Sequence, residues 1–127
     1  MKKPVKKTAR RKGVTPAQLR QIALSFPGTT EGSSYGKPSF HVARKFFTRL
    51  REEDDSIVLA VGSIDERDML LESDARLFHI TEHYRNYPAL LVRLAQLDAG
   101  MLRSMLERRW RTIAPKKLLR EFDEAKG

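Results

Sequence analysis

SFHVARKFFTRLREEDDSIVLAV, residues 39–61, is the stretch on which the fold turns. Its side chains alternate with a period of two, the period of a strand with one buried face. Over Ser39–Ala43, Phe40 and Val42 share one face and His41 takes the other. Over Lys45–Arg51, Phe46, Thr48 and Leu50 oppose Lys45, Phe47, Arg49 and Arg51, so one face of this second strand is strongly basic. Four consecutive acids, Glu52 to Asp55, make a charged turn, and Ser56–Val61 supplies the β-branched run of a third, more buried strand. The three form a meander.

Upstream, Thr15-Pro16 is an N-cap followed by proline in the first helical turn. Leu19, Ile22, Ala23 and Phe26 recur at helical spacing until Pro27-Gly28, which predicts a helix over 15–25. Gly28–Pro38, with three glycines and several small polar residues, reads as a loop. Downstream, Ser63 and Glu66 have the spacing of a capping box, and Met69, Leu70 and Leu71 give the short helix after them an apolar side. Leu77–Ile80 reads as a brief strand, Thr81–Pro88 as a tyrosine-rich loop, and Ala89–Ala95 as a central strand interrupted by Arg93. Met101, Leu102, Met105, Leu106, Trp110 and Ile113 mark a long amphipathic helix that Pro115 ends, before a last short helix with Leu118, Leu119 and Phe122. The order α-βββ-α-ββ-α predicts an α+β fold: a five-stranded antiparallel sheet with its helices on one face and the other face open.

The 127 residues suit one domain, and an apolar share of 40% lets it bury a core. The net charge of +9 is unevenly placed. Lys2, Lys3, Lys6, Lys7, Arg10, Arg11 and Lys12 contribute seven positives with no acid, whereas 18 basic residues face 16 acidic ones from position 15 onward. Residues 1–14 have no apolar periodicity and repel one another, so they read as a disordered basic tail ahead of a single domain at 15–127. Without cysteine there is no disulfide, thiolate metal site or cysteine nucleophile. No apolar run approaches membrane length and no apolar h-region follows the basic start, so a cytoplasmic protein without membrane attachment is expected, with a monomer as the default.

Lysines and arginines unaccompanied by acids release counterions when they meet phosphates, so the tail points to nucleic acid. A solubilising terminus is the bland alternative. In the body, candidate phosphate contacts are Lys45, Arg49, Arg51 and Arg93, with His41 joining them if the strand registers match, and Phe47 stands among these cations as a stacking platform would. A solvated strand face is the simpler and favoured reading of these residues. Arg103 to Arg120 carries seven basic residues against Glu107 alone. Lys116 and Lys117 would meet phosphates at a helix start, or these charges would only complement a helix dipole. Trp110 falls on the apolar stripe and reads as core.

His79 and His83 join a strand to a loop, not one helix face, so no metal site is expected. Neither has an evident partner for nucleophilic catalysis, Ser33-Ser34 reads as a turn, and Glu52–Asp55 as a solvated turn without the spaced oxygens of a calcium loop. No catalytic residue or cofactor is expected. An alternative to nucleic acid is a module that binds a small ligand or protein in a pocket of Tyr35, His83, Tyr84, Arg85 and Tyr87.

Four blocks carry a family resemblance: Leu24-Ser25-Phe26-Pro27-Gly28, Ser34-Tyr35-Gly36-Lys37-Pro38-Ser39-Phe40, His83-Tyr84-Arg85-Asn86-Tyr87-Pro88 and Ala114-Pro115-Lys116-Lys117-Leu118. Over residues 16–122 the chain resembles the MmcQ/YjbR family. The resemblance implies a fold like that of the bacterial frataxin CyaY and a double-wing DNA-binding role without catalysis. It also places Tyr35, Gly36, Pro38, Phe40, His83, Tyr84, Arg85, Tyr87, Pro88, Arg93, Pro115 and Lys116 among the family's pattern residues. Iron binding through an acidic first helix, as frataxins use, is not implied here, because helix one has Arg20 and no acid.

Overall fold

Thr15 accepts a hydrogen bond from the Gln18 amide while the Gln18 side chain returns one from the Thr15 amide, so a complete capping box starts helix α1, Pro16–Leu24. The computed structural model describes residues 13–34 and 36–126. The basic residues from Lys2 to Lys12 and Tyr35 lie outside the described residues.

After α1 come strands β1 (Thr29–Ser34), β2 (Lys37–Val42), β3 (Lys45–Arg51) and β4 (Ser56–Ala60), helix α2 (Ile64–Ser73), strands β5 (Phe78–His79) and β6 (Ala89–Arg93), and helices α3 (Ala99–Ile113) and α4 (Lys116–Lys126). The fold class is α+β with an antiparallel sheet, as expected, but among the described residues the sheet has six strands in the order β1-β2-β3-β4-β6-β5. The extra strand is β1, in the segment expected to be a loop. Its sequence TTEGSS has no apolar alternation because it is an edge strand, held by six residue pairs with β2 from Thr29 opposite Val42 to Ser34 opposite Lys37. Gly36, at φ +78°, makes the reversal between them.

A bulge corrects the expected face of Phe47. Phe40 stands opposite Thr48 but His41 stands opposite Phe46, which leaves Phe47 as the extra residue on β3. The side chain turns into the core, fully buried, with its ring edge-on to Phe26 at 5.9 Å. It is therefore not a platform among the cations. Phe46 packs instead on the opposite face, beside Val58, Tyr84 and Leu91. The β2–β3 turn consists of Ala43 and Arg44, both at positive φ (51° and 71°), a conformation that two-residue hairpins normally give to Asn-Gly.

The main core lies between the sheet and helices α1 and α3, with Phe40, Val42, Phe47, Leu50, Ile57, Leu59, Leu90 and Val92 facing Leu19, Ile22, Leu102, Leu106 and Trp110. Trp110 is wholly buried, as its place on the stripe implied; its Nε1–H donates to the Pro27 carbonyl at 2.9 Å. Leu118, Leu119 and Phe122 bring α4 onto the same side. Among the described residues no α-helix packs on the opposite sheet face. Around Val58 and Leu91 it is covered by Tyr84, and toward β3 and the end of β6 it is lined by arginines.

Candidate functional site

Arg51, Ser56 and Arg93 stand directly opposite one another on β3, β4 and β6. Adjacent strands lie about 4.8 Å apart, so the two arginine backbones are about 10 Å apart across Ser56. Arg49, two positions before Arg51, projects from the same face. The registers therefore gather three of the expected phosphate contacts on the helix-free side.

Their partners differ. Arg49 Nη2 donates to the Tyr84 hydroxyl at 3.0 Å and meets no carboxylate among the described residues. The Arg93 guanidinium has neither hydrogen bond nor ion pair among the described residues and is half-buried. Arg51 is occupied: Nε and Nη2 each lie 3.3 Å from Asp54, Glu53 is 3.9 Å away, and its guanidinium carbon lies 5.8 Å from the centre of the Tyr84 ring. Burial opposes its charge, but the hydrogen bond and attraction of Asp54, with help from Glu53 and Tyr84, hold its pKa above the ordinary arginine value. One locked arginine thus sits between two without acidic partners.

His79 borders this group and has the partner that sequence reading did not find. Its Nε2 lies 3.0 Å from Ser56 Oγ, and Asp54 Oδ2 is 3.9 Å from the same nitrogen. Ser56 Oγ also lies 3.1 Å from the Asp54 carbonyl. A hydroxyl has one proton; donated to that carbonyl, it leaves Ser56 accepting from Nε2–H. A serine so bound is not activated for attack, since a general base would have to accept that proton.

Burial lowers the His79 pKa, and Arg93 and Arg51 act in the same direction against Asp54. A folded-state pKa below the unfolded one means that the unfolded chain takes up the proton first as pH falls, so stability is lost below the ordinary histidine range. Thermal unfolding between pH 7.5 and 5 should therefore show a fall in Tm that is shallower in His79→Gln. Equal slopes in the two proteins would contradict this coupling.

The 81–88 loop that carries Tyr84 is held by a residue the sequence reading passed over. Arg67, on α2 and 6% exposed, donates through Nη1 to the carbonyls of Tyr84 (3.1 Å), Arg85 (2.8 Å) and Tyr87 (3.0 Å), and pairs with Asp68. The signal was its spacing: Arg67 precedes Leu70 and Leu71 by three and four residues and so shares their inward face. Met69, expected on that side, is 70% exposed.

The proposed tyrosine pocket has a different character. Tyr84 is a core residue of the small outer cluster, His83 packs against Tyr84 and Tyr87 with ring centres 4.9 and 6.1 Å apart, and Arg85 pairs with Glu82 at 2.7 Å on the surface. None of these residues lines the cleft of about 340 Å³ between β4, α2 and α3.

The C-terminal basic stretch is on the helix side, away from Arg49 and Arg93. Arg103 donates to Ser25, Arg109 to the Phe46 carbonyl, and Arg111 to both Glu107 and Asp123, while Arg108 lies 3.9 Å from Glu66. Lys116 and Lys117 are exposed at the start of α4, and Lys45 is exposed at the hairpin end of β3. The structure does not bring Lys116 and Lys117 to the arginine face. Among the described residues, no three histidine, aspartate or glutamate side chains gather as metal ligands, and no helix is long and apolar enough to cross a membrane.

The sequence model of the YjbR family matches residues 24–112, which include the whole sheet and most of α3. The chain belongs to the YjbR family. Three of the four resemblance blocks lie within the match, and the one at Ala114–Leu118 lies beyond it. Uncharacterized proteins of Mycobacterium bovis and Mycobacterium tuberculosis are 32% identical to this YjbR chain over 82 residues, 62% of its length. The match spans 64% of the length of those relatives. No solved structure matches.

Proposed function

We propose that this YjbR-family chain is a non-enzymatic nucleic-acid-binding protein that contacts phosphates with the helix-free face of its sheet, assisted by the basic residues at its N-terminus. One observation carries the reading: Arg49 and Arg93 stand half-buried on that face with no acidic partner among the described residues, Arg49 two positions before Arg51 on β3 and Arg93 across Ser56 from it. Guanidinium groups are suited to phosphate oxygens, and a partly desolvated pair binds them more strongly than freely hydrated lysines do. The seven N-terminal cations add a term that is independent of sequence and sensitive to salt. Contacts of this kind position a protein on the backbone without reading bases.

The test is fluorescence anisotropy with labelled duplex and single-stranded DNA from 50 to 200 mM salt. It compares the native chain with a form in which Lys2, Lys3, Lys6, Lys7, Arg10, Arg11 and Lys12 are replaced by glutamine. If about five of those charges engage, the native affinity falls roughly a hundredfold to a thousandfold across that range. The neutralised form should keep weaker binding with a shallower slope. Absence of binding by both at 50 mM salt defeats the proposal, and absence only in the neutralised form removes the sheet face from it.

A further inference from the structure

The cleft between β4, α2 and α3 is lined by the apolar side chains of Leu59, Leu70, Phe78 and Met105 together with Arg108, Arg109 and Glu66. Its volume of about 340 Å³ falls within the range of small-molecule sites. Arg109 is the informative residue. Its Nη2 is taken by the Phe46 carbonyl at 2.7 Å, but its Nε is buried and has no acceptor among the described residues. A buried donor without an acceptor costs about 1–3 kcal/mol, and a charged one more. Burial accordingly pushes the guanidinium pKa down, with no carboxylate opposing it.

Glu66 does not neutralise the pair. Its Oε1 accepts from the Gly62 amide at 3.0 Å, and its other oxygen is 3.9 Å from Arg108, which is itself exposed. Two guanidinium groups against one carboxylate leave a single positive charge in the lining of a largely apolar cavity. The complementary molecule has an apolar body and one negative charge.

From this geometry we infer that the cleft is a binding site for a small monocarboxylate with an apolar chain or ring, whose carboxylate accepts from Arg109 Nη1, the guanidinium nitrogen that has no partner among the described residues and is not buried, while its body lies on Leu59, Leu70, Phe78 and Met105. The site lies on the helix side of the sheet and is independent of the nucleic-acid proposal.

Decanoate is a suitable probe, with decan-1-ol as the uncharged control of equal chain length. Titration of the full chain, followed by methyl resonances of Leu59, Leu70 and Met105 and by calorimetry, should show decanoate binding at least tenfold more tightly than decanol. Arg109→Gln should reduce decanoate to the affinity of decanol, and Met105→Trp, which fills the cleft, should remove both. Equal binding of acid and alcohol, or decanoate binding that leaves the cleft methyls unmoved, overturns the inference. Should Arg109→Gln not fold, the acid-to-alcohol ratio and the methyl shifts of the native chain decide the matter alone.

Discussion

Replacing Arg67 with methionine should lower folding stability by about 3–5 kcal/mol, measured by urea unfolding. Methionine fills much of the same space, so the loss would not come from a cavity. It would come from the carbonyls of Tyr84, Arg85 and Tyr87, which share one guanidinium nitrogen as their donor and would be left facing a thioether. Hydrogen bonds to a charged group each contribute about 1.5–3 kcal/mol, and three sharing one nitrogen give less than three times that. Arg67→Lys, which keeps a charge but not the planar fork, should lose less. The damage should spread to the arginine face, because the loop that Arg67 holds positions the Tyr84 hydroxyl against Arg49. A loss below about 1 kcal/mol in Arg67→Met would show that the loop holds itself.

Trp110→Ala should cost a similar amount, about 3–5 kcal/mol, by a different route. The indole touches Phe26 and Phe122 with ring centres 5.9 and 4.8 Å away, and with Phe47 edge-on to Phe26 these rings join α3, α4 and the segment after α1 to the bulged strand. Alanine would leave a large cavity at that junction. Trp110→Phe would keep most of the packing and lose the hydrogen bond to Pro27, for about 1 kcal/mol. Thermal and urea unfolding of both variants would separate the two contributions. Because Trp110 is fully buried, nucleic-acid affinity at temperatures where Trp110→Phe is folded should be unchanged.

The parts of the fold that were legible were those where period and burial agree. The Thr15-Pro16 start, the strand Ser56–Ala60 and the stripe from Leu102 to Ile113 each bury one apolar set, and each formed where the pattern put it. β1 was not legible because an edge strand held by backbone bonds to β2 needs no apolar side chains. Phe47 was misplaced because strict alternation cannot register a bulge, and one inserted residue moved it to the other face. The arginine face was half legible. Alternation put Arg49 and Arg51 together on β3, but only the pairing of Ser56 with both Arg51 and Arg93 brought the third arginine to them. Spacing placed Arg67 on the inward face of α2, but its carbonyl partners and the Ser56–His79 pair are joined across 17 to 23 positions, and local pattern contains no signal for which residues meet at that range.

YjbR-family membership rests on residues 24–112, and no function comes from the uncharacterized mycobacterial relatives. The functional reading therefore rests on the sheet face, and the double substitution Arg49→Gln/Arg93→Gln in the full chain tests it most directly. Binding of labelled duplex DNA should be measured for this variant and the native chain from 50 to 200 mM salt, with unfolding midpoints checked alongside. If both arginines neutralise phosphates, the slope of log K against log salt should become shallower by roughly 1.8, at about 0.9 per contact. A variant that folds normally and keeps the native slope and affinity would contradict the account.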